Sequence, residues 1–305
     1  MGNTIMHHKP MVSVCVFAYN HEKYLAEALD SVLIQKVDFE YEVIIGEDYS
    51  TDSTLQIAQD YQARYPNQIK VVQSGHKEKL VINGHATARY NFLNVLSLSK
   101  GKYIALLDGD DYWIDPYKLQ KQIDFLNQHE EYSFTFHNVY LDNTESGATG
   151  VVRHTYHPSD FSERDRFEDL LLINNIVPTS SVVLRNNIPK VFPAAFYKVP
   201  VGDWPFHIFN LNFGLVKYME DVMGVYRIGS GTWNKKSLED KFLTVIKTYN
   251  YLAEIVPPKF KGGLRRAGAS HYRRLIRLYL RQGKLYRAAM VVVHFWRYLA
   301  TYRAE

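Results

Sequence analysis

Three short apolar runs alternate with helical patterns in the first part of the chain, and this alternation restricts the fold more than any other feature. The runs cover residues 11–18, 41–46 and 103–107, and each is apolar throughout instead of at every second position. A strand with this pattern has both faces covered, which is typical of a parallel sheet between two layers of helices. We therefore predict an α/β fold built on an open, mostly parallel sheet with right-handed crossovers and flanking helices.

The segments between and after these runs carry the apolar spacing of amphipathic helices. Helices are predicted in residues 22–35, 49–65, 85–99 and 116–127. Further strands are predicted in residues 69–73 and 132–141. The second of these should be half-exposed, because its apolar residues partly alternate with polar ones.

The third apolar run ends abruptly in a cluster of acidic residues, Asp108, Asp110 and Asp111. Clustered carboxylates repel one another and cost folding energy unless a positive charge neutralises them. Hard oxygen ligands of this kind suit Mg²⁺ or Mn²⁺, which bind one or two carboxylates and complete their coordination with water and phosphate oxygens. The alternative is an Asp-rich turn, in which Asp110 or Asp111 caps the helix that follows.

Polar side chains also follow the first two runs. Tyr19 and Asn20 come directly after the first run, and Glu47 and Asp48 come directly after the second. Ligands of open parallel sheets bind beyond the carboxyl ends of the strands. Three sets of polar residues at strand ends therefore favour one ligand site at this edge over three unrelated turns.

Three segments together resemble a known family: VSVCVFAYNHEKYLAEALDSVLIQ, EVIIGEDYSTDST and GKYIALLDGDDYW. In content and spacing they are similar to the nucleotide-binding half of glycosyltransferase family 2, whose members have the GT-A fold. The resemblance extends from residue 11 to about residue 233. The sequence has neither a GxGxxG fingerprint nor a P-loop, which argues against dinucleotide-binding enzymes and kinases.

The resemblance implies a nucleoside-diphosphate sugar as donor, with UDP or dTDP favoured. The nucleotide pocket would include Ala18, Tyr19 and Asn20. Asp48 would accept a hydrogen bond from the base, through the ring N–H of uracil or thymine. Asp52 is the alternative carboxylate for this role, and we favour Asp48 because it directly follows the strand.

Asp108 and Asp110 match the two acidic positions of the family's DxD motif. The resemblance therefore assigns Asp108 to the nucleotide ribose and the metal, and Asp110 to the metal, which would be Mn²⁺ or Mg²⁺ on the diphosphate. A metal that bridges two phosphates stabilises the charge that builds on the departing nucleoside diphosphate. Asp111 is a further candidate for contact with the diphosphate or the acceptor.

The second acidic position of interest is Asp203, in the segment VGDWPFH. The resemblance places the general base here, where a carboxylate accepts the proton of the attacking hydroxyl and contributes about 10²- to 10⁴-fold to the rate. The alternative for Asp203 is a helix N-cap, because a helical pattern follows. Trp204 offers an apolar face to a sugar ring or fills the core. Residues 179–181 are candidates for lining the acceptor site, with a plain strand as the alternative.

Residues 222–233, VMGVYRIGSGTW, resemble the family's closing motif, in which a YR pair leads into a loop near the diphosphate. Arg227 would pair there with phosphate, or else with a surface carboxylate. Trp233 is a further candidate for contact with the diphosphate or the acceptor. Many family members have a metal-holding histidine two residues after the arginine, and here that position is Gly229. We therefore expect weaker metal binding, or backbone N–H groups from this loop in its place.

The C-terminal segment differs from the rest of the chain in charge. From Ile255 onward there are twelve Lys and Arg residues and one acidic residue, Glu305, whereas the formal net charge of the whole chain is +4. Two helices broken at Gly283 are predicted here, each with arginines on one side and apolar residues on the other. Such a surface either is a solvated face of a helical hairpin or contacts anionic lipid. The segment has no recognised nucleic-acid-binding motif, so we expect no nucleic-acid partner.

Several features bear on the compartment. No stretch reaches the roughly 18 apolar residues that a membrane span needs, and the N-terminus lacks the apolar region of a signal peptide. The single cysteine, Cys15, lies inside an apolar run, which fits a reducing compartment. We expect a cytoplasmic protein, with the basic segment as its candidate contact with the inner face of the cell membrane.

These observations predict a GT-A domain in residues 1–235, with a nucleotide-binding half (11–113) and an acceptor half (114–235), followed by a basic helical extension (236–305). The predicted function is that of an inverting, metal-dependent glycosyltransferase with a glycan or lipid-linked acceptor. The resemblance implies a role in capsule, lipopolysaccharide or other surface glycan synthesis. One alternative is a nucleotidyltransferase, which would need a Gly-rich phosphate loop that residues 16–24 lack. The other is a non-catalytic binding module on a transferase scaffold, which only Gly229 favours.

Overall fold

The computed structural model describes residues 9–73, 79–82, 84–143, 153–154, 167–228 and 236–301. Its strands are β1 (Val12–Ala18), β2 (Tyr41–Glu47), β3 (Ile69–Gln73), β4 (Leu80–Ile82), β5 (His85–Thr87), β6 (Tyr103–Asp108), β7 (Tyr112–Trp113), β8 (Tyr132–Asp142), β9 (Arg153–His154), β10 (Val183–Arg185) and β11 (Leu215–Arg227). Its α-helices are α1 (Leu25–Leu33), α2 (Thr54–Arg64), α3 (Arg89–Leu98), α4 (Lys118–Gln128), α5 (Phe167–Ile173), α6 (Asp203–Asn210), α7 (Leu238–Leu252), α8 (Lys261–Arg281) and α9 (Leu285–Thr301).

The strands of the main sheet follow the order β3-β2-β1-β6-β10-β8-β11-β7, with β9 paired to β8. The first four are parallel neighbours, β8 and β11 are also parallel, and β10 runs antiparallel to both β6 and β8. The predicted open, mostly parallel sheet is therefore confirmed. The register sets Ala18 beside Glu47 and Phe17 beside Asp108, so the polar ends of β1, β2 and β6 are adjacent.

Each face of the sheet is covered by its own hydrophobic layer. Alternate residues of β1, such as Val14 and Val16, pack in one layer with residues of α1, α2 and α4. Cys15 points into the other layer, which includes residues of α3, α6, α7 and α8. Burial raises the pKa of the Cys15 thiol to about 12, so this residue acts as a small buried hydrophobe. Two covered faces explain why the strands are apolar throughout.

Two details of the sequence-based prediction are wrong. The segment 85–87, expected to begin a helix, is strand β5, which pairs antiparallel with β4 in a separate small sheet. Gly84 has a φ of +80°, which suits a tight turn between these strands. The strand over 132–141 is buried along most of its length instead of half-exposed, because β8 lies between β10 and β11 with Phe134 and Phe136 in the core.

The C-terminal helices α7, α8 and α9 share a hydrophobic layer with the sheet. Trp204 of α6, Tyr249 of α7, Tyr272 of α8 and Tyr298 of α9 belong to one buried cluster. Gly283, with a φ of +68°, separates α8 from α9, so the predicted break between two helices is confirmed. Among the described residues, no helix combines the length and the apolar character needed to cross a membrane.

Candidate active site

The loops after β1 and β2 are locked together at the carboxyl edge of the sheet. Asn20 and Tyr49 both have positive φ angles, of 55° and 56°, which are uncommon for non-glycine residues and cluster at functional sites. The backbone N–H of Asn20 donates to Ser50 Oγ at 3.0 Å, and the N–H of Thr51 donates to Asn20 Oδ1 at 2.8 Å. These bonds fix the two loops against each other, and together the loops form one wall of the candidate site.

Two carboxylates of this wall hold its own backbone. Glu47 is buried and accepts the N–H groups of Tyr49 and Ser50 at 3.1 and 2.6 Å. Asp52 accepts the N–H and the hydroxyl of Thr54 at 3.0 and 2.6 Å, at the start of α2. Both side chains are therefore occupied with local structure, which favours Asp48 over Asp52 as the carboxylate that meets a ligand.

Lys79 contacts both Asp48 and Tyr19, and these three residues are called the Asp48 pocket below. The Nζ of Lys79 lies 2.9 Å from Asp48 Oδ2 and 3.1 Å from the centroid of the Tyr19 ring. Burial raises the pKa of the Asp48 carboxyl, and the hydrogen bond and positive charge of Lys79 partly oppose that effect. The pocket thus combines an aromatic face with a buried hydrogen-bond acceptor, the two features that recognise a flat heterocyclic base.

The acidic cluster after β6 packs directly against the end of β1. The N–H of Gly109 donates to the carbonyl of Phe17 at 2.8 Å. A side chain at Gly109 would lie 2.9 Å from His21 Nδ1, so this close approach requires glycine. His21 Nε2 in turn lies 3.8 Å from Asp110 Oδ2, and burial lowers the pKa of His21.

Burial, and after it the repulsion between like charges, raises the pKa of two carboxyls in this cluster. Burial, then the charges of Asp110 and Asp203, raise the pKa of Asp108 to about 8, while a hydrogen bond from Thr179 opposes the shift. Burial and the charges of Asp110 and Asp108 likewise hold the pKa of Asp111 well above its ordinary value. Within the described ranges, neither Asp108 nor Asp111 forms an ion pair with a lysine or arginine.

Arg227 forms hydrogen bonds to the turn that carries the acidic cluster. Its backbone N–H donates to Asp111 Oδ1 at 2.9 Å, and its Nη1 donates to the carbonyl of Asp110 at 2.7 Å. Its other guanidinium nitrogens face the carboxylates of Glu27 and Asp142, at 2.5 and 3.7 Å. These contacts correspond to the carboxylate alternative for Arg227, and its action here is to fix the turn that carries Asp110 and Asp111.

Asp203 is the first residue of α6, and Gly202 is the N-cap. The N-cap alternative for Asp203 is therefore wrong. Its Oδ2 accepts a hydrogen bond from Asn175 Nδ2 at 2.8 Å. Asp203 also acts on the pKa of Asp108, so the fold places it within electrostatic reach of the acidic cluster although the two are far apart in sequence.

Arg89 of α3 supports the loop that leads to Asp203. It is buried and donates hydrogen bonds to the carbonyls of Phe196 and Val199. A side chain added at Gly202 would lie 3.3 Å from the Arg89 guanidinium, so the loop lies directly on it. Burial lowers the pKa of Arg89 to about 10, and the nearby negative charge of Asp203 partly opposes this shift.

The donor set of the acidic cluster fits a hard divalent cation. Among the described residues, no three His, Cys, Asp or Glu side chains are arranged to hold a metal ion by themselves. A Mg²⁺ or Mn²⁺ ion on a diphosphate needs only one or two carboxylates, since phosphate and water supply its other ligands. Burial and like-charge repulsion both raise the pKa values of Asp108 and Asp111, and the positive charge of a bound dication would oppose both effects.

The remaining sequence-based candidates divide into three groups. Ala18 ends β1 beside the Asp48 pocket. Thr179 contacts Asp108 from a short 3-10 turn (Thr179–Ser181). The alternative of a plain strand therefore applies only to the residues that follow this turn. Trp204 is only 3% exposed, and its Nε1 donates to the carbonyl of Leu171, so it is a core residue without a free face for a sugar. Trp233 and Gly229 lie outside the described residues.

Sequence reasoning missed Lys79, Arg89 and Asn175. Each contributes through a partner that is distant in the chain, such as Asn175 with Asp203 and Arg89 with the loop at 196–199. No spacing rule marks such pairs. His21, which lies near Asp110, is a further residue that was not singled out as a candidate. Its position gave a usable signal, since it directly follows the polar pair at the end of β1.

Comparison with known proteins gives a consistent result. A sequence model described as glycosyl transferase family 2 matches residues 13–192. An uncharacterized protein of Mycobacterium tuberculosis is 37% identical over 224 residues, which are 73% of this chain and 60% of that protein. The chain therefore matches somewhat less than two thirds of this relative's length.

Two solved structures share the fold. Staphylococcus aureus TarS 1-349, in complex with UDP-GlcNAc, has a TM-score of 0.54 at 19% identity, covering 96% of this chain and 91% of TarS 1-349. The mannosyltransferase PcManGT from Pyrobaculum calidifontis, in complex with GDP-Man and Mn²⁺, has a TM-score of 0.54 at 15% identity, covering 97% of this chain and 86% of PcManGT.

Proposed function

Because the chain belongs to glycosyl transferase family 2 and has the GT-A fold, we propose that it is an inverting glycosyltransferase. It moves a sugar from a nucleoside-diphosphate sugar to an acceptor hydroxyl, with a UDP or dTDP sugar as the favoured donor. The observation that carries the proposal is the electrostatic interaction between Asp203 and the acidic cluster. Asp203, at the start of α6, lies within electrostatic reach of Asp108, which ends β6 and is followed by Asp110 and Asp111.

The donor base binds in the Asp48 pocket. Tyr19 offers its ring, and Asp48 accepts the N3–H of the base, which uracil and thymine carry and cytosine lacks. Lys79 now fills the space between these two residues and moves aside when the base enters. The fixed wall formed by Asn20 and Thr51 gives the pocket its shape before binding, which reduces the entropy cost of binding.

Asp203 is the general base. Its carboxylate accepts the proton of the acceptor hydroxyl as that oxygen attacks the anomeric carbon, and the nucleoside diphosphate leaves from the opposite side. Direct displacement of this kind inverts the anomeric configuration. Asn175 fixes the carboxylate through the bond to Oδ2, and Arg89 fixes the backbone that precedes it.

Asp108 and Asp110 would hold the divalent metal, Mn²⁺ or Mg²⁺. When bound, the metal stabilises the negative charge of the departing diphosphate. Arg227 keeps Asp110 and Asp111 in place through its bonds to the turn. The PcManGT structure is a complex with GDP-Man and Mn²⁺, which supports a metal in this fold.

The acceptor is a glycan or a lipid-linked sugar of a surface polysaccharide. The family resemblance supports this assignment, and so does the strongly basic helical extension, which carries the charge expected of a protein that works beside an anionic surface. Thr179, which donates a hydrogen bond to Asp108, is the proposed contact on the acceptor side.

Thermal denaturation with nucleotides tests the donor site. We expect the midpoint of unfolding to rise with UDP or dTDP only when Mn²⁺ is present, and not to rise with CDP or GDP. A ligand at about 100 times its dissociation constant stabilises the folded state by about 2.7 kcal/mol, which is readily measured. Asp110→Ala should abolish the Mn²⁺-dependent shift, whereas Asp221→Ala, at an exposed carboxylate of β11, should retain it.

A failure to shift with all four nucleotides, with and without Mn²⁺, would contradict the transferase proposal and favour a non-catalytic binding module. A shift with GDP or CDP alone would contradict the assignment of Asp48 to uracil or thymine, and would leave the transferase proposal in place.

A further inference from the structure

Helix α9 exposes a wide apolar face. Tyr286 is 79% exposed, Leu285 68% and Trp296 59%, and the other large apolar side chains open to solvent on this helix are Met290, Val292 and Val293. At 3.6 residues per turn these six residues fall within one arc of about 160°. Ala288, Val291 and Tyr298 on the opposite side are buried in the core.

An arc of this size is unusual for a helix that meets only water. A surface helix of a globular protein normally turns polar residues to solvent, and contiguous exposed apolar surface marks a place of contact with another molecule. The exposed side of α9 is not needed for packing, since the opposite side of the helix already joins the core through Tyr298 and Val291.

The helices α8 and α9 around this arc carry a strong excess of positive charge. Residues 261–301 contain ten Lys and Arg residues and no Asp or Glu. Arg273, Arg274 and Arg277 of α8 are exposed, as is Arg281 at its end. Glu239 of α7 pairs with Lys284 and Arg287, and this compensates only part of the excess.

We propose that the apolar face of α9, together with the arginines of α8, docks on the surface of an anionic lipid bilayer. Trp and Tyr side chains favour the boundary between headgroups and acyl chains, where Trp296 and Tyr286 would insert. The arginines bind the anionic headgroups, which adds electrostatic attraction to apolar burial. An anionic bilayer thus accounts for both the exposed apolar face and the positive charge.

Other occupants fit this surface less well. A second copy of the chain would bring two strongly positive surfaces together, and the repulsion would oppose association. A nucleic acid would bind the arginines, but it would leave the aliphatic part of the arc, Leu285, Met290, Val292 and Val293, in water. The docking surface is separate from the Asp48 pocket and the acidic cluster, so the proposal does not rest on the transferase assignment.

Flotation of the whole protein with lipid vesicles tests the proposal. We expect binding to vesicles of phosphatidylglycerol and phosphatidylcholine to be at least tenfold tighter than binding to phosphatidylcholine alone, and to weaken as salt rises. Val293→Asp combined with Trp296→Asp should reduce binding to the anionic vesicles at least tenfold. Val191→Asp, at an 81% exposed valine far from α9 in sequence, is the matched control and should bind as the parent protein does.

A second pair of variants separates charge from apolar contact. Arg274→Gln with Arg277→Gln should lower affinity for the anionic vesicles and leave weak binding to neutral vesicles unchanged. Circular dichroism and the unfolding midpoint check that all variants fold, which is expected because each altered side chain is exposed. The UDP-dependent thermal shift should be the same in parent and variants, so failure of docking and failure of the donor site are distinguishable.

Three results would overturn the proposal. The first is equal binding of the α9 variant and the parent protein to anionic vesicles. The second is a dimer in light scattering that the α9 variant converts to a monomer, which would assign the face to a second copy. The third is binding to a single-stranded oligonucleotide that exceeds vesicle binding and is insensitive to Trp296→Asp.

Discussion

The ammonium group of Lys79 lies 2.9 Å from Oδ2 of Asp48 and covers the ring of Tyr19. The same carboxylate is the proposed acceptor for the donor base, so Lys79 and the base compete for it. Burial raises the pKa of Asp48 and Lys79 lowers it. The ionised carboxylate that the base requires therefore depends in part on this lysine.

Replacing Lys79 with methionine should raise the pKa of Asp48, because the hydrogen bond and positive charge of Lys79 favour the ionised carboxylate. The affinity for UDP depends on the ionised form and falls as pH drops through this pKa. The acid limb of a plot of UDP affinity against pH, measured by calorimetry, should therefore move to higher pH in Lys79→Met. Asp48→Asn should give weak binding without this limb, and an unmoved limb in Lys79→Met would contradict the pairing.

Replacing Asp203 with asparagine should lower kcat by about 10²- to 10⁴-fold, because the amide cannot accept the acceptor's proton. The dissociation constant for UDP with Mn²⁺ should remain within about threefold of the parent value, since changes in binding of that size are below 1 kcal/mol. Asp221→Asn, on the exposed surface, controls for the loss of one negative charge. Near-parental turnover in Asp203→Asn would assign the base elsewhere.

Removing the charge of Asp108 should change how stability depends on pH in the absence of metal. The pKa of Asp108 is about 8 in the folded protein, above its ordinary value of 3.8, so the folded state retains a proton that the unfolded chain releases. The free energy of unfolding therefore falls as pH rises through this window, and it falls no further above the folded pKa.

In EDTA, the unfolding midpoint of the parent protein should accordingly decrease relative to that of Asp108→Asn between about pH 5 and pH 8. A loss of 1 kcal/mol lowers the midpoint by about 2 °C in a chain of this size. Mn²⁺ should restore the parent protein at pH 8 and have little effect on the variant. Parallel pH curves in EDTA would show that repulsion at Asp108 does not oppose folding.

Arg89 is expected to act on Asp203 through the backbone. Arg89→Met leaves the buried carbonyls of Phe196 and Val199 without donors, at a cost of about 1–3 kcal/mol each. We expect a lower unfolding midpoint and, well below that midpoint, a reduced kcat with an unchanged dissociation constant for UDP. A purely structural role would lower the midpoint alone.

Lysine should not rescue this position, because a single ammonium on a flexible stem does not reproduce the planar fork that reaches two carbonyls. Arg64→Met, at the exposed end of α2, is the control for losing an arginine and should leave both kcat and UDP binding unchanged. If Arg89→Lys matches the parent protein in kcat, the geometric argument for the fork is wrong.

Local pattern was enough to identify the sheet and its ligand edge. A strand covered on both faces is apolar along its length, and ligands of open parallel sheets bind beyond the carboxyl ends of such strands. For this reason the sequence predicted β1, β2 and β6 and the positions of Asp48, Asp108 and Asp110 at one edge. Errors arose where burial depends on distant neighbours: β8 is central because β10 and β11 flank it.

The sequence by itself determined which residue types stand at the strand ends, because that information is local and periodic. Only the tertiary structure decided which of these side chains are available. It turned Glu47 and Asp52 toward backbone N–H groups, placed Trp204 in the core, and brought Asn175 and Arg89 to the Asp203 segment. Contacts between residues so far apart follow from helix packing on the sheet, and no short-range pattern encodes them. The open apolar face of α9 has the same origin, since core packing uses only one side of a helix that is apolar on both.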